Sequence, residues 1–160
     1  MCNRFFIFLY NRLRSLKGSF YRIKFRMLGA NISSGVIFYG EPNFIGDLRN
    51  LSIGKNSTIN QGVFFNCADK IIIGENCRLS SFSQFHTGAL TMTCKNDRIH
   101  YSKPIELGDN VWISSGVIVN PGIIISSGAV IAPGSVVTKA IPSNEFHGGV
   151  PTRFIKKIDI

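Results

Sequence analysis

Six positions, Leu107, Ile113, Val119, Ile125, Ile131 and Val137, carry an aliphatic side chain at an unbroken spacing of six, and Gly, Asn, Ser or Pro fills most of the turns between them. One such hexad is a short strand plus a tight turn. Alone it cannot bury its apolar side chain, so copies must stack into a solenoid. The same phase extends backwards through three further sets: Ile73, Leu79 and Phe85; Ile53, Ile59 and Phe65; Ile32, Phe38 and Phe44. Three hexads close one triangular coil, so the fifteen anchors predict an all-β solenoid of about five coils. The spacing breaks only between sets, with nine residues from Phe44 to Ile53, eight from Phe65 to Ile73 and twenty-two from Phe85 to Leu107. Every break therefore falls at the same corner of the triangle. The fifth place of the last hexads is held by Val111, Val117, Ile123, Ala129 and Ser135, ending in small residues that suit a narrow corner. An antiparallel sheet fits less well, because hairpin strands alternate in and out and rarely hold a period of six for six copies.

This phasing divides the chain into an N-terminal segment over 1–29, a solenoid over 30–142 with an extruded loop at 87–104, and a C-terminal tail over 143–160 with a short helix. At 160 residues the chain is one domain, and 44% apolar against 17% charged residues describes an unpolar surface, as an oligomer would have. Four cysteines, Cys2, Cys67, Cys77 and Cys94, show neither a C-x-x-C pair nor metal-ligand spacing. They read as reduced structural thiols of a cytoplasmic protein, with Cys67 and Cys77 packed in hexads, and no metal is expected.

Charge is unevenly placed. Seven basic residues, Arg4, Arg12, Arg14, Lys17, Arg22, Lys24 and Arg26, precede the first acidic one, Glu41. Phe5, Phe6, Phe8, Tyr10, Phe20, Tyr21 and Phe25 are interleaved with them, which suggests a basic, aromatic helix. The apolar run from Phe5 to Tyr10 is too short to span a bilayer, and no small-residue cleavage site follows it. Two roles stay open. The helix caps the open end of the solenoid, or residues 1–27 make peripheral contact with the inner face of an anionic membrane. Nucleic-acid binding is weaker, since the remaining residues show no basic stripe.

From Gly108 to Lys156 several short motifs follow in order: Gly108-Asp109-Asn110-Val111-Trp112-Ile113, Asn120-Pro121-Gly122, Gly134-Ser135-Val136-Val137-Thr138-Lys139, Ile141-Pro142 and Gly149-Val150-Pro151. This run resembles the C-terminal half of the hexapeptide-repeat acyltransferases, in the branch of galactoside, maltose and xenobiotic acetyltransferases and bacterial surface-polysaccharide acetyltransferases. The resemblance implies a left-handed parallel β-helix, a homotrimer with active sites between neighbouring prisms, and acetyl-coenzyme A as co-substrate.

Acetyl transfer from a thioester needs a base for the acceptor's proton, a donor for the developing oxyanion and a slot for the pantetheine arm. A neutral histidine is the natural base. His86 follows the anchor Phe85 at the root of the extruded loop, where family members place their catalytic histidine. His100 lies later in that loop and is the alternative base or an acceptor contact, and His147 lies beyond the last coil. Many relatives carry the base about four residues further on, where this chain has Leu90. By the same resemblance Trp112, Ser115, Ala132, Thr138, Lys139, Arg153 and Lys156 match coenzyme-binding positions. Ala132-Pro133-Gly134 stands where many relatives have Gly-Ala-Gly, so one backbone donor is missing. For the acceptor, Asn66 and Asp69 join Thr91, Thr93, Lys95, Asn96, Asp97 and Arg98 as polar groups suited to sugar hydroxyls or a phosphate. The resemblance thus implies an acetyl-coenzyme A dependent transferase acting on a sugar hydroxyl or amine in surface-polysaccharide assembly. A soluble transferase for small sugars or xenobiotics and a non-catalytic trimeric scaffold are the alternatives.

Overall fold

A computed structural model describes residues 16–91 and 98–159. All fifteen anchors stack as their spacing demands, in three parallel sheets that form the faces of a triangular prism. The first face is built from Asn31–Ile32, Leu51–Ile53, Ile71–Ile73, Ile105–Leu107 and Ile124–Ile125, which bring Ile32, Ile53, Ile73, Leu107 and Ile125 into one column. On the second face Ile37–Phe38, Thr58–Ile59, Arg78–Leu79, Trp112–Ile113 and Val130–Ile131 align Phe38, Ile59, Leu79, Ile113 and Ile131. On the third, Asn43–Gly46, Phe64–Cys67, Gln84–His86, Ile118–Val119 and Val136–Val137 align Phe44, Phe65, Phe85, Val119 and Val137. Every anchor except the half-buried Phe44 is buried in one continuous core. Burying one such side chain contributes about 2 kcal/mol, which explains why two-residue strands suffice.

The turns explain the period. Three residues after the anchor the chain enters the left-handed region at Gly35, Asn56, Gly62, Asn76, Asn110, Gly116, Gly122, Gly128 and Gly134, residues that tolerate it at little cost. Phe82 stands at the same step with φ 61° and is the one bulky residue to do so. The breaks in spacing all lie between the third face and the first. Residues Leu48–Asn50 form a short 3-10 helix capped by Asp47, which accepts the Arg49 amide, and Leu48 fills the core there. The longest break is a hairpin in which Gly88–Leu90 pairs antiparallel with His100–Ser102. Thr93, Lys95, Asn96 and Asp97 lie outside the described residues, as do Cys2 and Cys94.

Two expectations change at the C-terminal end. The solenoid continues into a sixth, partial turn rather than ending with its fifth coil. Ile141 bridges Ile125 on the first face, and His147, six residues on, pairs with Ile131 on the second. Asn144 takes the left-handed step between them, φ 57°. The short C-terminal helix is absent. Glu145–Gly148 instead folds back through Gly149 to Thr152 onto Arg153–Lys157 as an antiparallel pair. A strand forms here because the last rung leaves a row of unpaired backbone groups, which an adjacent strand satisfies and a helix would not. His147 is buried in the anchor position, holds Glu145 at 2.8 Å and meets the Phe154 ring edge-on at 5.7 Å.

At the other end a helix over 16–27 caps the first coil. Fully buried Phe25 packs on Phe38 and Phe44 with ring centroids 5.6 and 5.5 Å apart. Gly18 lies so close to the first rung that a methyl group there would sit 2.5 Å from the Phe38 carbonyl oxygen. Lys24 pairs with Glu41 at 3.0 Å, and Arg26 Nε donates to the Ile32 carbonyl at 2.9 Å. Capping is therefore one role of the N-terminal segment, and residues 1–15 lie outside the described residues.

Cys67 and Cys77 are both free and buried. Burial pushes the Cys67 thiol up to about 12 and raises that of Cys77, so neither is a nucleophile near neutral pH. Cys77 occupies the corner position held by Ser57 in the coil below and donates to the Gly108 carbonyl at 3.1 Å.

Candidate active site

The residues expected to carry chemistry gather at two edges of the third face. At its far edge, where the third face turns to the first, stand His86, Asn66, Asp69 and the hairpin. His86 ends the strand Gln84–His86, and its partner one coil below is Asn66. Since Phe85 points into the core, the strand's alternation turns Gln84 and His86 outward together. His86 Nε2 lies 3.0 Å from Gln84 Oε1, an oxygen that can only accept, so the proton is on Nε2 and Nδ1 is left as the basic nitrogen. The imidazole leans on the Phe64 ring at 5.5 Å, and its half-burial lowers its pKa below the ordinary 6.5. It is therefore neutral at pH 7. A fixed tautomer, a lowered pKa and an outward-facing nitrogen are what a general base needs.

Asn66 and Asp69 do structural work at this edge. Asn66 Oδ1 accepts the Ala68 amide at 3.3 Å, and Asp69 Oδ1 accepts that of Lys70 at 2.7 Å. Buried Thr87 ties both to the root of the hairpin, donating through Oγ1 to the Asn66 carbonyl and accepting the Asp69 amide at 3.0 Å. His100 is exposed on the returning strand, directly opposite Leu90. Thr91 Oγ1 accepts the Ile99 amide at 3.0 Å, closing the described part of the hairpin. Thr138 and Lys139 follow Val136–Val137 at this same edge, two coils above His86.

The near edge, where the second face turns to the third, holds the other group. Ser115 and Ala132 sit there in successive turns, joined by the Gly134 amide donating to the Ser115 carbonyl at 2.9 Å. Half-exposed Trp112 lies just before them on the second face, its indole N–H on Ser80 Oγ at 3.1 Å. A methyl group at Gly134 would meet nothing within 4 Å, so the edge is an open shelf of backbone between the fourth and fifth coils. Arg153 and Lys156 are exposed on the final strand, paired with Gly148 and Phe146, not on a helix face. The expected coenzyme set is thus divided between the two edges and the sixth turn.

Lower on the near edge the structure adds a feature that sequence reasoning missed. A cleft of about 740 Å³ runs over the first three coils, lined by Lys17 and Tyr21 of the helix and by Tyr39, Glu41, Asn43, Asn60, Gln61 and Phe82 among others. Phe82 lies over Gly62, where a methyl group would come within 2.6 Å of its ring, and is 61% exposed toward solvent. A bulky residue held in the left-handed region costs about 1–2 kcal/mol, so its place signals a use. The signal was present in the sequence: Phe82 stands three residues after its anchor, where most other turns carry Gly or Asn. His86 does not line this cleft. His86 stands four residues after Phe82, at the other end of the strand Gln84–His86.

Comparison with known proteins decides the family. Residues 104–139 match the model for the bacterial transferase hexapeptide, six repeats. A putative acetyltransferase of Dictyostelium discoideum is 40% identical over 80% of this chain and 69% of its own length. The chain belongs to the hexapeptide-repeat acetyltransferases. Galactoside O-acetyltransferase of Escherichia coli is 40% identical over 82% of this chain, which spans only 56% of that enzyme. A solved galactoside acetyltransferase in complex with coenzyme A superposes with a TM-score of 0.78 at 28% identity, covering 92% of this chain and 82% of that one. The prism is accordingly the left-handed parallel β-helix of this family. In this hexapeptide-repeat acetyltransferase the inward anchor positions are filled by the core, which leaves turns, edges and outward faces for polar side chains.

Proposed function

We propose that this chain is an acetyl-coenzyme A dependent acetyltransferase that acetylates a sugar hydroxyl or amine during bacterial surface-polysaccharide assembly on the cytoplasmic side, working as a homotrimer. The observation that carries the reading is the near edge itself. The cleft over the first three coils and the open shelf at Ser115, Ala132 and Gly134 are consecutive stretches of one corner. An acceptor in the cleft and a thioester arm along the shelf would meet end to end near Phe82 and Trp112. The cleft suits a sugar ring: Phe82 offers an aromatic face for ring C–H groups, and Asn43, Asn60, Gln61 and Glu41 offer amides and a carboxylate for hydroxyls. Lys139, Arg153 and Lys156 are exposed cations suited to coenzyme phosphates.

The base is His86, on the opposite edge of the third face. Within one copy the histidine does not line the cleft. A closed ring of three copies, each setting its far edge against the next copy's near edge, brings the histidine and hairpin of one to the cleft and shelf of another. There His86 Nδ1 takes the acceptor's proton as the acceptor oxygen or nitrogen attacks the thioester carbonyl. Collapse of the tetrahedral adduct breaks the carbon–sulfur bond, and the imidazolium returns its proton to the departing thiolate. Gln84 keeps the tautomer required for both steps. The test is thioester cleavage by the wild-type protein in the presence of a panel of mono- and oligosaccharides. Acceptor-dependent release of free thiol that disappears in His86→Ala supports the reading; equal turnover in that variant removes His86 from the mechanism.

A further inference from the structure

Resting on the reading of the cleft as a sugar site, we propose that the helix over 16–27 docks on an anionic lipid surface and sets the cleft mouth against it, so that the acceptor arrives on a lipid-linked glycan. The helix carries two apolar faces where capping needs one. Gly18, Tyr21 and Phe25 face the first coil. On the opposite side Leu16, Phe20, Ile23 and Met27 are 64%, 62%, 55% and 83% exposed. Their spacing of four, three and four places all four within an arc of about 60°. A stripe this regular and this exposed is built to be covered.

Charge selects what covers it. The helix has four basic residues and no acidic one, and seven basic residues precede Glu41 in the sequence. Lys24 and Arg26 are held by Glu41 and the Ile32 carbonyl, while Lys17 is exposed beside the cleft and Arg22 is half-buried. A second copy laid on the stripe would set like charges against each other, whereas an anionic headgroup layer offers the opposite sign and an apolar interior. Among the described residues no helix is long and apolar enough to cross a membrane, so the geometry is that of a helix lying in the plane of the interface. Docking and cleft are mechanically joined: Lys17 and Tyr21 line the cleft, and the Tyr21 ring meets the Phe20 ring edge-on at 5.9 Å. With Phe20 in the lipid, the cleft opens at headgroup depth.

The experiment is flotation of the full chain with vesicles of phosphatidylcholine, with and without phosphatidylglycerol. The chain floats with the anionic vesicles, salt releases it, and the Phe20→Glu, Ile23→Glu double variant loses at least about tenfold in bound fraction. Phe20→Leu with Ile23→Leu retains binding, which separates loss of the stripe from damage to the helix. In the Glu variant, acetyl transfer to a soluble sugar is unchanged, while transfer to an alkyl glycoside embedded in anionic vesicles falls by about tenfold. Failure of the wild-type chain to float, equal flotation on neutral vesicles, or a change of oligomeric mass in the Glu variant overturns the proposal. Absence of acetyl transfer to any sugar defeats the reading of the cleft instead, and flotation still decides the docking.

Discussion

The two edges of the third face obey opposite rules. Along the near edge each coil passes from the second face to the third in an unvaried six residues, from Phe38 to Phe44 through Ile131 to Val137. At the far edge the same chain inserts a 3-10 turn, a short excursion at Ala68 to Lys70 and a hairpin. The near edge can vary only by side chain, because a change of length there would slip every rung above it. The far edge can vary by length, because each excursion starts and ends at stacked backbone positions. The difference teaches where function can be added to a solenoid: fixed surfaces such as the shelf and cleft on one corner, and reaching elements such as His86 and the hairpin on the other. The active site proposed for this chain uses both, drawn from two copies.

Breaking the far edge chemically has the largest expected effect. Replacing His86 with Ala lowers kcat for acetyl transfer by about 10²–10⁴-fold, with coenzyme affinity little changed in a direct binding titration. The pH profile sharpens the same assignment. Burial lowers the His86 pKa below 6.5, so the imidazole is neutral above that value and protonates only as pH falls through its depressed pKa. The acid limb of kcat/KM should bend below pH 6.5, and a bend above that pH would contradict a desolvated base. Since the folded pKa is the depressed one, any stability linked to His86 is likewise fully present above 6.5 and lost on acidification.

Next in size is steric damage to the near edge. Gly62→Leu combines a left-handed backbone with a side chain driven into the Phe82 ring and should cost about 2–4 kcal/mol in denaturant unfolding. Phe82→Gly separates fold from function. It relieves backbone strain and leaves the melting temperature nearly unchanged, yet removes the platform, so KM for the acceptor rises about tenfold with kcat less affected. The smallest effect belongs to length at the far edge. Inserting Gly-Ser-Gly between Ala68 and Asp69 should cost no more than about 1 kcal/mol, while the same insertion after Gly116 prevents the fourth and fifth coils from stacking in register.

The prism was legible because its signal is local and repeated: one apolar residue in six, with Gly or Asn three steps later. Handedness was not in that signal and came from the motifs between Gly108 and Pro151. The sixth turn escaped notice because its anchor is His147, a polar residue made acceptable inside by Glu145. The final strand, expected as a short helix, was not legible because its conformation is set by the open rung beside it. His86 and its corner could be placed from spacing alone. The cleft could not, since it joins side chains from the helix and three separate coils, from Lys17 to Phe82, and its single local clue was an aromatic residue at a glycine position.

The sharing of one site between two copies is open to a direct test by subunit mixing. His86→Ala spoils the far edge, and Ser115→Trp, at an exposed turn, fills the shelf of the near edge. Each variant alone should be inactive. Unfolded together in equal amounts and refolded, they should recover about a quarter of wild-type acetyl transfer, the chance that an interface draws an intact edge from each neighbour. A mixture as inactive as its two parents would show that both edges must belong to the same chain.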